Sequence, residues 1–152
     1  MTPSSRTPNP RHCSVAGALD VIGEKWSLLV IRELLLGNRR FNDIADKTGA
    51  PRDILTARLR KLEELGVIER QVYSEKPTRH MYVLTRAGKD LRPVMMALKH
   101  WGDVHVMHEH LAPVLEHTCG AVFEPRTHCA SCGEPLGDRD LTRVDAIADS
   151  LT

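Results

Sequence analysis

The chain has 152 residues, 41% of them hydrophobic and 27% charged, with a net charge of +1; this is enough to bury one substantial core and leaves room for a small appendage. No run approaches the roughly 18 apolar residues of a membrane-spanning helix, and the opening MTPSSRTPNPRH lacks the apolar centre of a signal peptide. A cytoplasmic protein with no membrane partner is expected, and in that setting four cysteines point to metal or thiol chemistry before structural disulfides.

Taken in order, residues 1–12 read as a disordered lead. SVAGALDVI, residues 14–22, places Val15, Ala18, Leu19 and Ile22 on one face of a short helix closed by Gly23. EKWSLLVIRELLL, residues 24–36, is apolar nearly all round, as a buried central helix would be; Gly37 and Asn38 stop it. FNDIADKTG follows, with Phe41, Ile44 and Ala45 facing inward and Gly49 ending the helix. Residues 49–66, GAPRDILTARLRKLEELG, form the next amphipathic segment, with Pro51 suited to a first turn and Gly66 to a left-handed exit. Leu55, Leu59 and Leu62 make a narrow apolar seam, and Asp53, Thr56, Ala57, Arg60 and Lys61 project away from it. Two short helices joined by a tight glycine turn are a helix-turn-helix, and a small, basic outer face suits a DNA major groove.

After Gly66 the hydrophobic period falls from 3.6 to 2. VIERQVY and MYVLT read as two strands around a charged tip, residues 75–80, which makes the hairpin a wing. Its lysine and arginine can reach phosphate or the minor groove. Residues 38–86 hold eleven Lys and Arg against seven Asp and Glu, an excess of +4, while the rest of the chain sums to −3. Positive charge thus gathers around the helix-turn-helix and wing. Thr85 is placed to cap a long helix over residues 86–110, with Leu91, Met95, Leu98, Gly102 and His105 on one face, Val94 and Trp101 beside it and Pro93 in its first turns. Pairing across a two-fold axis would cover this helix, and packing on helices 14–36 would cover part of it.

The motifs Gly23-Glu24-Lys25-Trp26, Arg40-Phe41, Leu55-Thr56-Ala57-Arg58-Leu59, Leu62-Glu63-Glu64-Leu65-Gly66, Pro77-Thr78-Arg79-His80-Met81-Tyr82-Val83-Leu84-Thr85, Gly88 and Trp101 run in order over about residues 13–105. In this the chain resembles the HxlR family, a branch of the MarR-like winged helix-turn-helix transcriptional regulators. The resemblance implies a homodimer on double-stranded operator DNA, repression by default, and a thiol-reactive or small-molecule signal as input. It also implies that Arg52, Thr56 and Arg60 face the major groove and that Arg79 touches the minor groove or backbone. Spacing independently supports Thr56 and Arg60, whereas Arg52 at the helix entry also suits phosphate. Arg40, Lys61 and Lys76 complete the expected DNA-binding set. Some family members sense electrophiles or oxidants through a cysteine just ahead of the first helix, where Cys13 stands here. The helix dipole would favour its thiolate, with Arg11 and His12 adjacent; the alternative is a small hydrophobe packing the helix start.

Beyond residue 110 comes HTCGAVFEPRTHCASCGEPLG, residues 117–137. Cys129-x-x-Cys132-Gly133 has the pattern of a metal knuckle, Cys119 supplies a third thiol and His117 a fourth donor, so residues 111–137 read as a small zinc ribbon around one structural Zn²⁺, with VFE as a short strand. His128 competes for the fourth position, with His110 more distant. Six of the eight histidines lie between residues 100 and 128, which leaves room for another metal site. A CxxC redox pair and a metal-free hairpin are the other readings of the same residues. Residues 138–152 read as a flexible acidic tail. The fold expected is mainly α with a small β-hairpin wing (α+β), comprising a winged helix-turn-helix domain over residues 13–110 with a C-terminal dimerisation helix and a Cys-rich tail. A non-enzymatic, sequence-specific regulator is expected. The alternatives are a thiol/disulfide redox protein using the CxxC and a winged-helix protein-interaction module.

Overall fold

The computed structural model describes residues 13–107 and 113–141. The lead before Cys13, His108, His110 and the acidic end from residue 142 lie outside the described residues. The chain divides into two compact units that meet in sequence at Met95 and Met96. Its elements are α1 (Ser14–Ile22), α2 (Lys25–Leu35), α3 (Phe41–Thr48), α4 (Arg52–Glu64), β1 (Ile68–Glu75), β2 (Thr78–Leu84), α5 (Arg86–Lys89) and α6 (Arg92–His105).

The core of the first unit is built on α2, whose Val30 and Ile31 are wholly buried together with Ile44 of α3 and Leu55, Leu59 and Leu62 of α4. The predicted leucine seam of α4 is therefore the face it buries. One charge enters this core. Glu33 is buried, and its carboxylate accepts hydrogen bonds from Arg32 Nε at 2.8 Å and Asn38 Nδ2 at 2.7 Å. Both lone-pair sets are thus satisfied, and the loop leaving α2 is held by the same group. Gly49 ends α3 in the left-handed region at φ 70°, which a side chain would disfavour, and Pro51 caps α4.

β1 and β2 pair antiparallel from Ile68↔Leu84 to Glu75↔Thr78. The turn at Lys76-Pro77, a cis peptide, is tighter than the six-residue tip expected: Thr78, Arg79 and His80 belong to β2. A bulge leaves Tyr73 without a partner between Val72↔His80 and Ser74↔Arg79.

Expectations for two of the helices also need correction. The helix over residues 86–110 is two helices, α5 and α6, separated at Asp90-Leu91. Pro93 has no N–H to give the Lys89 carbonyl, so it takes the first turn of a new helix where none is needed. Thr85 does cap the first piece, its hydroxyl oxygen accepting the Gly88 N–H at 3.3 Å. The apolar face foreseen for α1 also buries only Ile22; Val15 and Leu19 are exposed.

The second unit comprises α6 from Met96 and two small hairpins, the first closed by the isolated bridge Glu116↔Val122 and the second by His128↔Pro135. The short strand expected at VFE is reduced to one such bridge. Among the described residues no helix is long and apolar enough to cross a membrane.

Gly88 lies tight against the residue that precedes β1 and the end of β2. A Cβ there would collide with the Val67 carbonyl oxygen and come 2.8 Å from Leu84 Cδ2. Gly88→Ala is expected to destabilise the protein by about 1–3 kcal/mol. Gly102→Ala, with nothing within 4 Å of the added carbon, should be neutral or slightly stabilising. Thermal unfolding of the two variants checks the contrast.

Candidate nucleic-acid interface

With Leu55, Leu59 and Leu62 inward, helical geometry turns Arg52, Asp53, Thr56, Ala57 and Arg60 outward, and all five are exposed. Arg52 is braced at the helix entry: its guanidinium donates to Asn42 Oδ1 at 2.8 Å and lies 4.9 Å above the Phe41 ring. Thr56 Oγ1 donates to the Arg52 carbonyl at 2.8 Å, so its remaining lone pairs point to acceptor duty. Among the described residues no ion pair engages Arg60.

The other two cations of α4 have a different role. Arg58 forms an ion pair with Glu24, and Lys61 Nζ reaches the same carboxylate at 3.2 Å. Glu24 stands at the N-cap of α2, so this three-residue cluster fastens the middle of α4 to the start of α2. Partial burial pulls the Glu24 carboxyl upward, but the Lys61 hydrogen bond and the charges of Arg58 and Lys61 outweigh it and hold the group below the usual carboxylate range. Lys61, expected on the DNA-facing set, is thus occupied with a partner on α2. The sequence offered no local sign of the cluster, because Glu24 and Lys61 are 37 residues apart.

The wing is joined to the helix-turn-helix by backbone and side chain. The Tyr82 N–H donates to the Arg39 carbonyl at 2.8 Å, which pins the segment entering α3 to β2. The Arg40 guanidinium lies 5.0 Å from the ring of the bulged Tyr73. Lys76 and Arg79 are exposed at the tip and take part in no ion pair among the described residues. Arg52, Thr56 and Arg60 therefore share one exposed helix face, while Arg40 sits against the wing and Lys76 and Arg79 mark its end.

Cys13 is the exposed N-cap residue of α1, and its carbonyl accepts the Gly17 N–H at 3.0 Å. In the second unit Cys119, Cys129 and Cys132 are free thiols, exposed as His117 is. The backbone amides of Cys132 and Ser131 hydrogen-bond the Cys129 sulfur and hold its thiol below the ordinary range. His128 Nδ1 lies 3.0 Å from the Gly133 carbonyl. Among the described residues no three His, Cys, Asp or Glu side chains gather into a metal-holding cluster. A hollow of about 350 Å³ in the second unit is lined by residues including Met96, His100, Asp103 and Phe123.

Comparison with known proteins agrees with this arrangement. The profile of the HxlR-like helix-turn-helix family matches residues 21–110. MT3179 of Mycobacterium tuberculosis, named as an uncharacterised HTH-type transcriptional regulator, is 44% identical over 131 residues, 85% of this chain and 83% of its own. The crystal structure of PA1607, a candidate transcription factor, superposes with a TM-score of 0.77 at 34% identity, covering 90% of this chain and 96% of that one. The redox regulator HypR in its oxidised form superposes at 0.57 with 33% identity, over 62% of this chain and 99% of its own. Relatives and fold are those of DNA-binding regulators rather than enzymes. The chain belongs to the HxlR-like helix-turn-helix family and is a transcriptional regulator with a winged helix-turn-helix DNA-binding fold.

Proposed function

We propose that the protein is a repressor that binds an operator of two half-sites as a homodimer, laying α4 in the major groove and its wing tip along the adjacent backbone or minor groove. The observation that carries this reading is the division among the cations of α4. Arg58 and Lys61 are spent on Glu24, which fixes the helix, while Arg60 and Thr56 stay outward on a helix whose opposite face is wholly buried. A rigid helix with an uncommitted guanidinium at its centre is what base readout requires, and exposed cations at a hairpin tip suit phosphate.

The dimer reading is supported by α6. Val94, Leu98, Trp101 and Val104 are 51%, 47%, 57% and 56% exposed and recur at helical spacing, so they form an apolar stripe on one side. A second copy meeting this stripe across a two-fold axis would bury it, and a dimer of winged helices suits two half-sites about one DNA turn apart. A thiol-responsive step is a further part of the proposal: Cys13 is exposed at the first turn of α1, and HypR, with a similar fold, is named a redox regulator. Repression would then be relieved by modification of that thiol.

Titration of DNA from upstream of the protein's own gene, at several salt concentrations, tests the first part. Arg60→Ala should lose about 1–3 kcal/mol of specific binding and relax sequence preference, whereas Arg79→Ala should weaken specific and random DNA alike and flatten the salt slope by about 1. Unchanged affinity in both variants would leave α4 and the wing without the assigned role. Sedimentation at micromolar concentration should show a dimer, and Trp101→Glu should convert it to monomer; a monomeric parent chain would remove the dimer reading. A mild thiol oxidant should reduce operator binding by the parent chain and leave Cys13→Ser unaffected, and equal loss in both would assign the response elsewhere.

A further inference from the structure

The two hairpins of the second unit are copies of one design. In the first, Phe123 N–H donates to the Leu115 carbonyl at 2.7 Å, His117 N–H to Ala121 at 2.9 Å, and Gly120 N–H back to His117 at 2.8 Å. In the second, Leu136 N–H donates to Thr127 at 2.8 Å, Cys129 N–H to Glu134 at 2.9 Å, and Gly133 N–H back to Cys129 at 2.8 Å. Each turn closes on a glycine in the left-handed region, Gly120 at φ 85° and Gly133 at φ 77°. The hydrogen bonds equate His117 with Cys129 and Cys119 with Cys132, the first turn being one residue shorter. These two pairs at the turns carry nitrogen or sulfur donors on all four side chains.

A second observation is independent of the motif. None of residues 113–141 is buried, and no disulfide joins the cysteines, yet the backbone follows these two regular turns. A segment of this size without an apolar core requires a cross-link to hold one shape, and a metal is the alternative to a disulfide.

We propose that His117, Cys119, Cys129 and Cys132 bind one structural zinc ion that joins the two hairpins. Three thiolates and an imidazole are a soft, tetrahedral donor set of the kind zinc takes in closed sites. Binding displaces three thiol protons to solvent as three Zn–S bonds form; the imidazole enters neutral, the site carries a net charge of −1, and no oxidant is consumed. The side chains do not gather into a cluster of three among the described residues, so binding would require these exposed donors to converge from turns whose backbone is already formed. In the correspondence of the two hairpins His128 matches Glu116, each in its own bridge, one residue before the His117 and Cys129 positions. Successive residues of an extended segment face opposite sides. This separates His128 from the donor set, although its Nδ1 contact with the Gly133 carbonyl leaves Nε2 free to compete.

Elemental analysis of the full chain, purified with reductant and without chelator or histidine tag, tests this directly. About one zinc per chain is expected, falling below about a tenth in Cys129→Ser and in Cys119→Ser. His128→Ala should retain the metal. Cobalt loaded in its place should show thiolate charge-transfer and tetrahedral ligand-field bands, and His117→Cys should retain cobalt with a spectrum moved toward that of four thiolates. Circular dichroism and operator binding of the variants establish that the first unit is folded in each case. Metal-free parent protein after zinc addition would overturn the proposal, as would a Cys129–Cys132 disulfide formed with reductant present. Metal that survives in Cys129→Ser, or that is lost with His128 and kept with His117→Ala, would overturn the ligand assignment.

Discussion

Burial of Leu55, Leu59 and Leu62 against α2 is the constraint on which the rest depends. A helix of 3.6 residues per turn cannot hide that seam without presenting Thr56 and Arg60 on the other side. The same burial places Arg58 and Lys61 at the flank, within reach of Glu24, so the core and the ion cluster act on one helix from two sides. The apolar seam supplies the stability; the partly exposed ion cluster adds little of it and instead sets the helix's rotation and tilt. On the proposed mode of binding, recognition begins with packing, because the face offered to DNA is whatever the core leaves uncovered.

Much of this was legible in the sequence. The α4 seam, the glycine turn after α3, the change of period into the hairpin and the Thr85 cap are all local patterns, governed by residues a few positions apart. What escaped was governed by residues far apart. An excess of positive charge over residues 38–86 is visible in the sequence, but its partition into Arg58 and Lys61, held by Glu24, and Arg60, left outward, depends on how α2 meets α4. The apolar periodicity of residues 86–105 continues across the Asp90-Leu91 break, so the rhythm suggested one helix where Pro93 enforces two. In α1 the pattern of Val15 and Leu19 revealed an apolar face without revealing what covers it.

The tail obeys a different logic from the domain before it. The first unit is specified by what it excludes from water; the tail has no such interior and repeats a turn whose geometry is dictated by backbone amides and glycine. The similarity to MT3179 and PA1607 spans more of the chain than the family segment does, whereas HypR covers only 62% of it. The appendage thus distinguishes this chain from shorter relatives that share the winged core.

The tie between Tyr82 and Arg39, with Arg40 lying over Tyr73, bears on the thermodynamics of recognition. A wing attached only through its strand ends would have to be immobilised by its target, and that loss of freedom would subtract from affinity. Here the hairpin is already fastened to the segment that leads into α3, so the ordering cost falls on folding. On the proposed mode of binding, association would demand of the wing little more than the rotamers of Lys76 and Arg79, and the contacts assigned to those side chains would be available to affinity almost in full.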